Sequence, residues 1–377
     1  MKTALLVLFL TSTRPEAGKQ AFDKGRYTEA ESEFSAAVLQ AETENSGTEL
    51  PLLLTNLAGS QAAQGKFSQA ENNYKHALEL AREDSSKLIA LSGLGGVNRS
   101  LGRYNDAEKY FIQALKLAQE NPQIEAVRAA RVQTGLGDVY RLQGRVTDSE
   151  RLYQSASALL RNTEYAHSTE MGTVQNNLAQ LYIKSGRVEM AEPLLQSAVA
   201  IWKESLGSAH PTYANGLNNL AAYYFRRKDY RKPEPLYREA LAIHERVLGT
   251  SHLYVAADLN NLGTLYAARH NWSDASDYFL RALAIREAQP EVGKAERLVN
   301  ISNIAELYFA QKDYTRAAQY YALMVPLVEA HIETGDAVVP QSLEHYSQLL
   351  RRNEEYAEAE RLAAEAMRLR VRSALRK

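Results

Sequence analysis

The chain has 377 residues, with 44 Lys+Arg against 45 Asp+Glu, a formal net charge of −1 and no cysteine. A balance this close to zero argues against nucleic acid as the main partner, because phosphate binding needs a basic face. The lack of thiols excludes disulfides, a cysteine nucleophile and thiolate zinc sites, and the apolar runs are too short for any segment to span a bilayer.

The first element, residues 1–13, is apolar. Met1-Lys2 precedes seven apolar residues, Ala4 to Leu10, the shortest length for the apolar region of a signal peptide. No A-x-A site follows, Arg14 sits where cleavage would fall, and Thr13 with Pro15 marks a helix start. The segment reads as a short export signal or as an apolar cap on the first repeat; export, to the periplasm or beyond, is preferred over a cytoplasmic location.

From residue 14 onward one pattern recurs: Leu-(Gly/Ala)-x-x-Tyr, a turn, an aromatic, then Ala-x3-aromatic and Ala-Leu. The turn positions are Gly25, Gly65, Gly102, Gly144, Gly186, Lys228, His270, Lys312 and Glu354, spaced 40, 37 and then 42 six times. Five residues after each turn stands a small residue, such as Ala30, Ala70, Ala107 or Ser149, with Pro233 as the exception. Nine after it stands a large one, such as Phe34, Tyr74, Phe111, Tyr153 or Phe279. Leu136-Gly137-x-x-Tyr140, Leu178-Ala179-x-x-Tyr182 and Leu262-Gly263-x-x-Tyr266 put apolar residues on one helical face. Each unit therefore reads as two antiparallel helices joined by a tight turn, the small residues letting the two approach. His210-Pro211 opens one first helix. Leu206-Gly207 and Leu248-Gly249 close second helices with a left-handed glycine cap. Pro193 and Pro235 fall in first turns of second helices, where the missing N–H costs little, and Pro233 should shorten its helix start.

Leu-Gly-x-x-Tyr followed by Ala-x3-Phe resembles a tetratricopeptide repeat, whose usual unit is 34 residues. The 42-residue unit resembles the repeats of kinesin light chains and their bacterial look-alikes. It is clearest in Leu217-Asn218-Asn219-Leu220-Ala221, in residues 234–245 and in Leu248-Gly249. The resemblance covers nearly the whole chain, while the heptad region of true light chains is missing. It implies an all-α fold, a right-handed α-solenoid or superhelix of about nine antiparallel helix hairpins. These occupy 14–355 and continue to 374 as the last unit, with a basic tail at 375–377 and a concave face lined by first helices. Fourteen of the 22 tyrosines hold repeat packing positions and read as core.

No motif carries catalysis. Gly93-Leu94-Gly95-Gly96 sits in the Leu-Gly position of a first helix and reads as packing. Gly59 to Gly65-Lys66 has the wrong spacing for a phosphate loop. None of the eight histidines makes a metal-ligand spacing; His210 and His252 are one repeat position. Glu31, Glu71, Glu108, Glu150, Glu192, Glu234 and Glu360 share a slot near a helix start, which helix-dipole complementarity explains. The chain reads as no enzyme, with no cofactor and no metal.

Asparagine is the feature left over. Asn56, Asn177, Asn219, Asn261 and Asn303 lie nine residues before a turn, and Asn176, Asn218 and Asn260 lie ten before. Asn is a poor mid-helix residue. The resemblance places this slot on the groove, where an amide offers a donor and an acceptor to an extended peptide; the other reading is a bridge between neighbouring helices. Arg99, Arg131, Arg141, Lys184 and Arg226 share the face, with Asp138 and Glu306. The site expected from these residues is Asn176, Asn177, Asn218, Asn219, Asn260, Asn261, Asn303, Arg141, Lys184 and Arg226. The function expected is a non-catalytic scaffold binding an extended, acidic peptide of a protein partner. The alternative is a structural or envelope-associated assembly unit using its convex face or ends.

Overall fold

The computed structural model describes residues 14–44, 48–289, 293–330 and 337–375. The apolar segment 1–13, and Arg376 and Lys377 of the basic tail, lie outside the described residues. These hold eighteen α-helices, two short 3-10 turns and no strand, an all-α solenoid of paired helices. The chain divides into two compact units, residues 1–216 and 217–377. In the first, the hairpins are α1 (14–23) with α2 (27–43), α3 (50–63) with α4 (67–80), and α5 (84–100) with α6 (104–120). They continue with α7 (126–142) and α8 (146–161), then α9 (169–184) and α10 (191–206). The division falls within α11 (211–226). The second unit contains α12 (233–248), α13 (253–268), α14 (272–287), α15 (294–310), α16 (314–329), α17 (338–352) and α18 (356–375).

All nine predicted turn residues adopt positive φ, between 59° and 80°, including Lys228, His270, Lys312 and Glu354. The hydrogen bonds explain the requirement. In eight of the nine, the N–H after the turn residue reaches the carbonyl five residues back, as Arg26 does to Ala21 at 2.8 Å and Asp313 to Tyr308 at 2.9 Å. This closes the helix with a left-handed residue at C′. The glycines after second helices differ from expectation. Gly207 and Gly249 have φ of 85° and 88° but ψ of 159° and 153°, so the chain leaves in an extended direction and not through a left-handed helical cap. α12 starts at Pro233, five residues after the turn, whereas α14 and α16 start two after theirs; α10 also starts five after its turn, at Ala191, so the late start does not require a proline at that slot.

Inside several hairpins a ring from the second helix lies on bare backbone of the first helix. A Cβ on Gly95 would come 2.7 Å from Phe111, one on Gly137 2.8 Å from Tyr153, and one on Gly263 2.5 Å from Phe279. The small residue five after the turn completes the fit: Ala30, Ala70, Ala107, Ser149, Ala191, Ala275, Ala317 and Ala359 are wholly buried. Ser149 spends its hydroxyl on the Gly137 carbonyl at 2.7 Å. The tyrosines two after the turn are more exposed than a core reading implies, Tyr356 reaching 60%. His210 and His252 gain a role as N-terminal caps. Their Nδ1 atoms accept from the N–H of Thr212 and Tyr254 at 3.0 and 3.1 Å, and burial holds both imidazoles below the usual range, in the neutral, accepting form.

Two substitutions test this packing. A left-handed conformation costs a non-glycine residue about 1–2 kcal/mol, partly offset by the unfolded-state entropy of glycine. Lys312→Gly should therefore raise unfolding free energy by roughly 0.5–1 kcal/mol in urea denaturation. Eleven residues before the turn, Leu54, Leu91, Leu217, Leu259, Ile301 and Leu343 are buried, but Gln133 holds that slot in α7 with its Oε1 buried and without a hydrogen bond. Gln133→Leu should stabilise by about 1 kcal/mol, seen as a higher melting temperature.

Candidate functional site

First helices of the N-terminal unit form the wall of a groove of about 850 Å³. Its floor is aromatic because glycines open the wall. The ring of Tyr74, from α4, fills the space above Gly93 of α5, and Phe111, from α6, sits under Gly95 and Gly135. Both rings, with Phe22 and Phe34, line the groove. Gly93 and Gly95 thus pack as the sequence implies. Gly96 differs: a Cβ there would meet nothing within 4 Å.

The rim is charged and balanced. Lys19, Arg99, Arg128 and Arg131 face Asp23, Glu125, Asp138 and Glu170. Arg99 is paired with Asp138, Arg131 with Glu170, and Arg128 with Glu125 at 3.1 Å. Arg141 is 3.9 Å from Asp138. The arginines read as a free basic strip are therefore largely engaged with carboxylates of the chain. Lys19 makes no ion pair among the described residues.

The expected asparagines bond mainly to neighbouring first helices. In the N-terminal unit Asn176 donates to Asn177 Oδ1 at 3.1 Å, and Asn177 donates to Asp138 Oδ1 at 2.9 Å. Asp138 also accepts from the Tyr153 hydroxyl at 2.5 Å. In the C-terminal unit Asn218 donates to Asp258 at 2.5 Å, and Asn303 to Asn260 Oδ1 at 3.1 Å. Asn300, absent from the expected set, also donates to Asn260, at 3.2 Å. Asp258 is buried against His244 Nδ1 at 2.7 Å, and burial raises its carboxyl above the usual range. Asn219 and Lys184 also have partners within the structure. The amides of Asn56 and Asn261 make no hydrogen bond among the described residues, and Arg226 is exposed.

The Glu slot shows what a dipole argument misses. Five of the seven carboxylates reach a cation in the following hairpin: Glu31 to Lys66 at 2.5 Å, Glu71 to Arg103 at 2.5 Å, Glu108 to Arg145 at 2.9 Å, Glu150 to Arg187 at 2.8 Å, and Glu234 to Arg269 at 2.5 Å. In the first four the cation stands directly after the turn glycine, a signal the sequence held. From Asp229 onward that position is Asp, Asn or Glu, and Asn271 and Asp313 use it as helix N-caps.

The fold and its repeat slots place the chain among proteins built of helix-hairpin repeats. The tetratricopeptide repeat pattern matches residues 86–162, 170–232 and 217–288, more than half of the chain, which belongs to the tetratricopeptide repeat family. Members are generally non-catalytic binding scaffolds for protein or peptide partners, and this chain is a protein-interaction scaffold. Similar solved structures include kinesin light chain-like repeat proteins. BtubC (BKLC) from P. vanneervenii is 24% identical over 62% of this chain and 93% of its own, with a TM-score of 0.52. A Rap protein complexed with Competence and Sporulation Factor is 14% identical over 87% and 99%, with a TM-score of 0.57. The quorum sensor NprR from B. thuringiensis, in apo form, is 12% identical over 96% and 99%, with a TM-score of 0.60. No curated protein is a significant match. Among the described residues no helix is long and apolar enough to cross a membrane.

Glu234 gives these inter-hairpin ion pairs a pH signature. The Tyr266 hydroxyl and then Arg269 pull its carboxyl from 4.5 to about 2. A depressed folded-state value contributes stability that is present above the unfolded value and is lost as pH falls toward the folded one. The side chain is 27% exposed, which reduces the contribution to roughly 1–2 kcal/mol. Glu234→Gln should be less stable than the parent at neutral pH, with the difference shrinking between pH 4.5 and about 2 in acid titrations followed by circular dichroism.

Proposed function

We propose that this scaffold holds an extended, acidic peptide segment of a protein partner along the first-helix groove of its N-terminal unit. The observation that carries this reading is the groove itself, an apolar floor beneath a charged rim. An extended chain uses both: alternate side chains enter the floor while polar groups at the rim hold the main chain and set charge preference. The acidic preference rests on the exposure of the rim. Arg131 is 63% exposed in its pair with Glu170, and Glu125 is 53% exposed in its pair with Arg128. Surface pairs of this kind contribute about 0–1 kcal/mol, so a partner carboxylate replaces Glu125 or Glu170 at small cost, and Lys19 adds an unpaired cation. A Rap protein of similar fold is complexed with Competence and Sporulation Factor, which supports reading the fold as a holder of a partner.

The asparagine row takes a second place in this reading. Asn177, Asn218, Asn260 and Asn303 bond between first helices, and Asn176 bonds to Asn177 on its own helix. Asn261 and Arg226 are the members of the row best placed to meet a partner on the C-terminal unit.

Selection from a random peptide library displayed on phage, with the full chain as bait, tests the proposal. The expected result is a family of acidic peptides with micromolar affinity, about −8 kcal/mol, weakened about tenfold by the double substitution Lys19→Ala and Arg131→Ala. Failure to enrich any peptide, or equal binding by the double variant, overturns it.

A further inference from the structure

Gly96 has no structural explanation. Glycine in a helix interior costs about 0.5–1 kcal/mol relative to alanine. At Gly93, Gly95, Gly135 and Gly137 the cost is offset, because a Cβ would lie under 3.0 Å from a ring. Gly96 has helical backbone without positive φ, and open space where its Cβ would be. Gly59, the same slot one hairpin earlier, would meet only ordinary contacts, Tyr74 Oη at 3.6 Å and Phe22 at 3.9 Å. Other hairpins fill this slot with Asp138, Gln180, Thr264, Glu306 or Gln348. On α3 and α5 the backbone is left bare toward the groove.

An independent feature marks the same spot. Tyr74 is 9% exposed, yet it lines the groove and its hydroxyl makes no hydrogen bond among the described residues. A phenol this buried ordinarily finds a partner. Burial pushes it up to about 12, against the opposing influence of Arg131, so it is a proton donor throughout the neutral range. Asn56 lies one turn before Gly59 on α3, also lines the groove, and has an unused amide.

We infer that Asn56, Gly59, Tyr74 and Gly96 form a main-chain subsite, where the backbone of the bound peptide lies directly on the two glycines, the Tyr74 hydroxyl donates to a peptide carbonyl and the Asn56 amide pairs with a neighbouring peptide unit. This inference rests on the peptide reading above and adds where the ligand comes closest. The open space requires main-chain approach: a side chain on either glycine would hold the peptide off the Tyr74 hydroxyl. It also accounts for a helix-interior glycine that the fold itself does not use.

The test uses peptides selected on the parent chain, with Kd measured by fluorescence anisotropy for Gly96→Gln and Tyr74→Phe and melting temperature measured alongside. Gly96→Gln introduces the side chain that two other hairpins carry at this slot, so its melting temperature should stay level or rise. Tyr74→Phe keeps the ring over Gly93 and removes only the hydroxyl. The subsite predicts at least tenfold weaker binding for Gly96→Gln and about three- to tenfold for Tyr74→Phe. Unchanged Kd in either variant, with the Lys19→Ala, Arg131→Ala chain still weakened, overturns the subsite and leaves the groove standing. Absence of any selected peptide overturns both.

Discussion

The contact on which the rest of the structure depends is a ring seated on bare helix backbone. Neither helix of a hairpin can bury its apolar stripe alone, and the stripe must be covered by the partner helix and by the next hairpin. Phe111 against Gly95 and Gly135 shows how both needs are met at once: one ring closes its own hairpin and reaches the first helix of the following one. Interiors are close-packed, so such a fit sets the distance between helices within narrow limits. The small residue five after the turn and the large residue nine after it are the two halves of this fit, and the period of the chain follows from repeating it.

Polar side chains then fix each hairpin against its neighbour. Glu150 and Arg187 form two parallel hydrogen bonds of 2.8 Å across the hairpin boundary, a geometry that specifies orientation as well as adding energy. Asn177 with Asp138 and Asn303 with Asn260 do the same between first helices. Exposed pairs contribute little individually. Their value lies in register: an apolar ridge can slide by a helical turn at modest cost, whereas a carboxylate facing a guanidinium cannot.

The groove is what this packing leaves over. Rings drawn through glycine windows give it an apolar floor, and charges on the first helices, paired among themselves, give it a rim. A scaffold built this way needs no moving part to bind an extended chain. Preformed walls reduce the ordering cost of association, and the packing of those walls leaves over the Tyr74 hydroxyl, the Asn56 amide and the bare backbone at Gly96.

The sequence by itself determined the repeat. Nine turn positions spaced by 37, 40 and 42 residues all proved to be left-handed, four of them without glycine, because a helix closed by its own carbonyls leaves no other backbone route. Alternation of small and large residues likewise showed which side chains are core, since both depend on neighbours within one hairpin. Partnership across hairpins was settled only by the tertiary structure. Glu31 and Lys66, or Asn303 and Asn260, are separated by 35 and 43 residues, and no local rule says that they meet. The Glu slot therefore suggested a helix dipole, and the asparagines suggested a peptide site among residues 176–303, while the cavity lined by residues 19–173 had no sign in the order of residues. Composition of a slot tells what a residue could bond; the stacking of one hairpin on the next decides what stands within reach.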